Sequence, residues 1–241
     1  MTREAGELFV FETPADVTKA LADLFVRCGQ EAIAAHGRLC VSLSGGTTPK
    51  ATYELLATPG YAGALDWTKI EVFFGDERCV PPDDPQSNYK TANDAFLSKL
   101  GVPAANVHRM RGEDDPVEAA SAYSDELRNV LGADPRFDLV MLGMGPDGHT
   151  ASLFPGSDPL EGDDMLARAV YSASHQQWRI TLTPRVLNNA RTVAFAVEGA
   201  GKAFVLKEVR EGPYDPVNLP SQIIAPHDGR LVWLVDRAAA G

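Results

Sequence analysis

Short apolar runs alternate with stretches of helical periodicity along almost the whole chain of 241 residues. The runs at 8–11 (LFVF), 39–44 (LCVSLS), 70–74 (IEVFF), 138–142 (DLVML), 178–183, 192–197 (TVAFAV) and 231–235 (LVWLV) predict strands. Between the first two, Val17, Ala20, Leu21, Leu24, Phe25, Cys28, Ala32 and Ile33 recur three and four residues apart, as one face of a helix does. Further helices are predicted over 48–57, 86–100, 116–132 and 200–211. Strands apolar at nearly every position bury both faces, which calls for a parallel sheet between two layers of helices. No repeat, low-complexity tract or Pro/Gly/Ser linker divides the chain, so a single α/β domain over 1–241 is expected.

In such sheets ligands bind beyond the carboxyl ends of the strands. Three connections there are rich in glycine and polar residues: those after Ser44, Phe74 and Leu142. The first, "SLSGGTTPK", lets a strand stop at Ser44, frees the backbone at Gly45 and Gly46, and offers Thr47 or Thr48 as a cap with Pro49 in the first helical turn. Exposed N–H groups and the helix dipole make such a turn an anion site, and phosphate fits it. A plain strand–turn–helix connection explains the same residues, and the Walker A spacing is absent. The second, "VFFGDERCVPPDDPQSNY", sets Asp76, Glu77 and Arg78 directly after a buried strand. Either Arg78 pairs internally with a carboxylate, or it is a fixed cation for an anion or a polarised carbonyl. Cys79 reads as packing.

The third, "FDLVMLGMGPDGHTASLFPG", matches the dinucleotide pattern G-x-G-x-x-G at Gly143, Gly145 and Gly148. It lies past the middle of the chain, contains Pro146, and has only Asp163 and Asp164, in no strand, as candidates for the ribose-binding acid. The pattern therefore says little for a nucleotide. His149 follows the last glycine and is expected in the first turn of a short helix, "HTASLF", whose positive end would hold the ring neutral, as a general base requires. Asp147, two residues earlier, can fix its tautomer.

Composition narrows the chemistry. Charged residues at 23% and hydrophobic residues at 44% describe an ordinary globular chain that needs no staple. A net charge of −11 argues against nucleic acid and anionic membranes, while a local cluster of cations can still hold a small anion. Cys28, Cys40 and Cys79 form no framework, the N-terminal stretch lacks the apolar core of a signal peptide, and no apolar run reaches 18 residues, so a cytoplasmic location is expected. His36, His108, His149, His175 and His227 form no pair at metal-ligand spacing, and no G-x-S-x-G elbow is present. A neutral histidine, nearby cations and no evident nucleophile point to direct activation of water, with no metal or cofactor.

The three loops together with "RITLTPRVLNNAR" and "GRLVWLVDRAAA" resemble the 6-phosphogluconolactonase family, within the wider glucosamine-6-phosphate isomerase/deaminase-like group, from about residue 8 onward. The resemblance implies a three-layer α/β/α sandwich with a mainly parallel, Rossmann-like central sheet (NagB/RpiA/CoA-transferase-like). It also implies hydrolysis of 6-phospho-D-glucono-1,5-lactone in the oxidative pentose phosphate pathway, without a cofactor, by a monomer or weak homodimer. His149 falls on the family's proposed general base, with Arg78 and Asp147 as its expected catalytic companions. Ser44, Gly45, Gly46 and Thr47 fall on the phosphate loop, with Asp76, Arg179 and Lys202 as further substrate contacts. The family's frequent Lys-Pro-Pro segment is replaced here by "SASHQQW", where His175 or Gln176 are the candidates to substitute. Three other readings compete. A glucosamine-6-phosphate deaminase would carry D-E-Y and N-E-P where this chain has Asp76-Glu77-Arg78 and Ser152-Leu153-Phe154-Pro155. A sugar-phosphate sensor would be expected to carry a DNA-binding segment, for which a first strand at residue 8 leaves no room. A dehydrogenase would need the nucleotide site already marked down.

Overall fold

Alternate residues of each central strand enter two different cores, which places the main sheet between two layers. The computed structural model describes residues 5–158 and 164–241. Its strands are β1 (Glu7–Phe11), β2 (Leu39–Leu43), β3 (Ile70–Phe74), β4 (Asp76–Arg78), β5 (Leu139–Gly143), β6 (Ala167–Ser172), β7 (Gln177–Leu182), β8 (Thr192–Val197) and β9 (Arg230–Asp236). Leu39, Val41 and Leu43 of β2, with Ile70, Val72 and Phe74 of β3, pack under the helices Pro14–His36 and Thr47–Leu56. Cys40, Phe73, Val140, Leu142, Val193 and Phe195 face the other way, toward the helices Pro116–Leu131 and Ala203–Glu211. The period of two in the sequence is thus the partition between the cores.

The helix Pro14–His36 shows how local chemistry sets these elements. Thr13 and Asp16 form a reciprocal capping box, Pro14 opens the first turn, and Gly37 at φ +88° ends the helix in the left-handed region. Its buried face carries Val17, Leu21, Leu24, Phe25 and Cys28, the positions picked out by periodicity.

Six strands run parallel in the order β1-β9-β8-β5-β2-β3. The strands that carry the three glycine-rich connections, β5, β2 and β3, are adjacent. From β2 the chain moves outward to β3, and from β5 it moves the opposite way to β8 and β9. The connections leaving β2 and β5 diverge, and the crevice between them is where such sheets bind ligands.

Four expectations are corrected. The predicted strand 178–183 is β7, and it lies outside the parallel sheet, between β4 and β6 in a small antiparallel sheet. Gly75 joins the two sheets, its N–H donating to Leu43 O and its carbonyl accepting from Leu182 N, each at 2.8 Å. The run at 8–11 is not buried on both faces: β1 is an edge strand, with Leu8, Phe9 and Val10 partly exposed. The predicted helix 86–100 begins at Asn88 and widens into a π turn over Asn93–Leu97, and the one at 200–211 opens with a tight turn, Ala200–Lys202.

Candidate active site

The first wall of the crevice is the turn after β2. The helix Thr47–Leu56 takes Gly46 as its N-cap, at φ +107°, and no side chain caps it. Thr47 and Thr48 are therefore not caps but the first helical residues, so the backbone donors of this end stay open to a ligand. Tyr53, one and a half turns into the helix and fully buried, reaches back to Ser44. Its hydroxyl donates to Ser44 O (2.8 Å) and accepts from Ser44 N (3.1 Å). Burial pushes this phenol upward, so it remains a neutral donor. Gly45 is required by close approach: a Cβ there would stand 2.0 Å from Asn88 Oδ1.

Asn88 belongs to the second loop and joins it to the first. Its amide donates to Asp76 O (2.9 Å) and Asp76 Oδ1 (3.1 Å), while Asp76 Oδ2 accepts from Ser152 Oγ of the third loop (2.7 Å). Asp76 lines the cleft but is committed as the knot of three loops. Glu77 is equally committed. It accepts from the N–H groups of Arg78, Asn88 and Tyr89 and from Ser87 Oγ, closing the start of the helix Asn88–Ala92. Burial raises its carboxyl, and those three N–H groups only partly offset the rise.

Arg78 is left over. Of its two open readings, the internal pair does not form among the described residues: its Nη1 donates to Gln86 O, and its Nε is buried without a partner. Arg179 of β7 stands directly opposite it across the β4–β7 ladder. Like charges in that position repel. Arg179 is only 7% exposed, and its Nε also lacks a partner. Burial, then the neighbouring Arg78, pulls its guanidinium below its usual value. Lys202 is likewise pulled down by burial, with Glu198 and Asp236 acting the other way. Three cations brought together and poorly neutralised form a site made for an anion.

The third wall carries the base. Gly145 N–H donates to His149 O (2.9 Å) and Gly148 N–H to Gly145 O (3.1 Å), closing Gly-Pro-Asp-Gly-His on itself. Gly148 sits at φ +82°, and a Cβ on Gly145 would lie 2.2 Å from His149 Nδ1. The glycine pattern thus serves a tight turn that makes room for the His149 ring. Of the candidate ribose acids, Asp163 lies outside the described residues, and Asp164 is an exposed partner of Arg185. Asp147 Oδ1 accepts from His149 N–H (3.1 Å) and meets Nδ1 at 2.6 Å. Burial works to raise the Asp147 carboxyl, but the His149 charge and N–H groups outweigh it and hold it below the usual carboxylate range. An ionised Asp147 places the ring proton on Nδ1 and leaves the Nε2 lone pair free.

The short helix expected after His149 is absent. Asp76 holds Ser152 Oγ, Thr181 Oγ1 accepts from Ser152 N, and Thr150 pairs with Leu153 around Ala151 at φ +47°. The helix-end argument for a neutral ring falls with it, and Asp147 is the partner that orients the imidazole. Phe154 packs between His149 and His175, with ring centroids at 5.2 and 5.9 Å.

All three walls meet in one cleft of about 250 Å³. Ser44, Gly45, Gly46, Thr47, Asp76, Arg78, His149, Arg179 and Lys202 line it, and Asp147 stands behind His149. Of the two candidates in the replaced segment, His175 lines the cleft and Gln176 does not. Tyr53, Asn88 and Ser152 were not foreseen. Tyr53 had a signal in the inward face of its helix, whereas the other two act through partners distant in sequence.

The arrangement has counterparts. The family of glucosamine-6-phosphate isomerases/6-phosphogluconolactonase has a sequence model that matches residues 12–233. The 6-phosphogluconolactonase of Synechocystis sp. is 42% identical over 214 residues, covering 87% of this chain and 86% of that one. That of Aggregatibacter actinomycetemcomitans is 35% identical, covering 95% and 97%. The solved structure of the 6-phosphogluconolactonase from Trypanosoma cruzi superposes with a TM-score of 0.90 at 28% identity, over 99% of this chain and 97% of that one. On a match of this extent, the chain belongs to the glucosamine-6-phosphate isomerase/6-phosphogluconolactonase family.

Proposed function

We propose that the chain hydrolyses 6-phospho-D-glucono-1,5-lactone to 6-phospho-D-gluconate, the ester-opening step of the oxidative pentose phosphate pathway. The observation that carries this reading is His149, oriented by Asp147 with Oδ1 to Nδ1 at 2.6 Å, in the same cleft as Arg78, Arg179 and Lys202, which form no ion pair among the described residues. In the proposed step His149 Nε2 takes a proton from water as its oxygen bonds to the lactone C1. Charge gathers on the carbonyl oxygen, where Arg78 meets it, the N–H groups of Gly148 and His149 being engaged with Gly145 O and Asp147 Oδ1. The C1–O5 bond then breaks, the imidazolium returns its proton to O5, and the new carboxylic acid releases one proton to solvent. Arg179, Lys202 and the Ser44–Thr47 turn hold the phosphate, and the step needs no metal or cofactor.

The family also contains isomerases, whose chemistry needs a carboxylate to move a proton between C1 and C2. Asp76, Glu77 and Asp147 are each committed to other partners, which favours hydrolysis. Free thiols at Cys28, Cys40 and Cys79 accord with the cytoplasmic location that the reading carries with it. Among the described residues no helix is long and apolar enough to cross a membrane. A monomer or weak homodimer acting on a small molecule, without nucleic acid, completes the proposal.

The test is proton release from freshly made 6-phosphogluconolactone, with unphosphorylated gluconolactone as control. Acceleration is expected for the phosphorylated lactone alone. Release no faster than spontaneous hydrolysis would sink the assignment.

A further inference from the structure

His175 stands at the tip of the β6–β7 hairpin, exposed at the rim of the cleft. Its Nδ1 is held from its own hairpin by Ser172 Oγ at 2.8 Å and Ser174 Oγ at 3.0 Å. Phe154 packs against the ring from the third loop. The ring is therefore oriented, and among the described residues its Nε2 has no partner. A histidine braced in this way at a rim, with one nitrogen unspent, is placed to meet a ligand.

The charged groups around it come from three elements. Arg179 faces it from β7, Arg78 from β4, and His149 and Asp147 from the loop after β5. Only Asp147 favours a charge on the ring, and it is engaged with His149. Partial burial, the cations Arg179 and Arg78, and His149 whenever it is protonated hold the His175 ring below its ordinary value. A dianion docking on Arg179 and Arg78 offsets that repulsion.

We propose that His175 is a further substrate-contacting residue: when a dianionic group settles beside Arg179, Nε2 takes a proton from solvent and donates it to the anion as a hydrogen bond. The proposal rests on the reading of this cleft as a phosphate-ester site and adds a contact that strengthens as pH falls. Binding and proton uptake are then linked, so affinity must rise as pH falls through the range where the bound form protonates and the free form does not.

Sulfate is the suitable probe, because it does not titrate in this range and any proton taken up belongs to the protein. Calorimetric titration between about pH 7.5 and 5.5, in buffers of different ionisation enthalpy, reads both affinity and uptake. The wild type should bind sulfate roughly tenfold tighter at the lower pH. The variant His175→Gln should lose most of that gain, and His149→Gln should keep it. His175→Lys, with a permanent charge, should bind at pH 7.5 about as tightly as the wild type does at 5.5 and show little pH dependence. Because the His175 ring is exposed at a hairpin tip, neither change at that position removes core packing. Undiminished pH dependence in His175→Gln, or its loss in His149→Gln alone, overturns the proposal while leaving the anion site intact. A wild type that binds no sulfate at either pH removes the anion site itself, and the proposal with it.

Discussion

Replacing Asp147 by Asn takes away one charge while keeping the shape of the side chain. Asp147 Oδ1 makes two contacts, to His149 Nδ1 at 2.6 Å and to His149 N–H at 3.1 Å. The first becomes an ion pair only when His149 carries the proton taken from water, so its charge acts mainly in the transition state. A charge-assisted hydrogen bond is worth about 1.5–3 kcal/mol, and the unit-charge interaction at ~4 Å falls between about 1 kcal/mol in water and about 4 near a protein surface. The side chain is 45% exposed, which favours the lower half of that span. A loss of about 10- to 50-fold in kcat follows, with little change in KM because Asp147 does not line the cleft. Initial rates of proton release supply both constants. His149→Ala should cost about 10²- to 10⁴-fold in kcat, and adding Asp147→Asn to it should cost almost nothing more, since the carboxylate then has no ring to stabilise. The Asp147 carboxyl is held below its usual value of 3.8, so its contribution to stability is complete above that pH and is lost as pH falls through the lower, folded-state value. If Asp147→Asn stays within twofold of wild type, or if its cost persists undiminished on the His149→Ala background, the carboxylate does not work through His149.

Arg179→Ala and Lys202→Ala should each lower kcat/KM about 10- to 150-fold, chiefly through KM, because the phosphate is held in ground and transition state alike. Inorganic phosphate should compete with substrate in the wild type, and unchanged KM in both variants would mean that the phosphate sits elsewhere. Gly145→Ala places a Cβ 2.2 Å from His149 Nδ1 and 2.6 Å from Asp147 Oδ1, so the pair must shift. Displacement of about 1 Å costs on the order of 10²-fold in rate, and kcat should fall by that much while a thermal melt moves by only a few degrees. Tyr53→Phe leaves Ser44 N and O buried without the hydroxyl they share. A loss of about 1–3 kcal/mol in denaturant-melt stability is expected, with a higher KM, and no loss in either would show that the turn after β2 stands without its brace.

The parallel sheet was legible because β2, β3, β5, β8 and β9 are written mostly in apolar residues, with Val, Leu, Ile, Phe and Ala in the majority. The three glycine-rich turns, read as lying beyond strand carboxyl ends, do come together where β5, β2 and β3 are adjacent. Less legible was the small sheet. β4 is three polar residues, Asp76-Glu77-Arg78, whose extended form comes from pairing with Arg179, Ile180 and Thr181 about a hundred positions away. Local periodicity carries no trace of such a partner. The helix anticipated after His149 failed for the same reason, since Ser152 is fixed by Asp76 and Thr181 rather than by its own neighbours.

The second loop shows why a motif is best divided by what each side chain has left to give. Read as a string, Asp76, Glu77 and Arg78 look like three catalytic groups on one turn. Two of them, however, spend their oxygens inside the protein. Asp76 binds Asn88 and Ser152, and Glu77 binds three N–H groups and a hydroxyl. Breaking a buried carboxylate's bonds would leave its partners unsatisfied, at a cost of about 1–3 kcal/mol each, so neither is free to follow a substrate through a reaction. What those carboxylates stabilise is the conformation that sets Arg78 opposite Arg179, neither of which forms an ion pair among the described residues. Two guanidiniums so placed repel each other, the nearby Asp76 and Glu77 offset this for Arg179 only in part, and an anion entering the cleft relieves the rest. The loop is thus built at the expense of local stability to keep one charge unsatisfied, and that charge faces the cleft in which His149 stands.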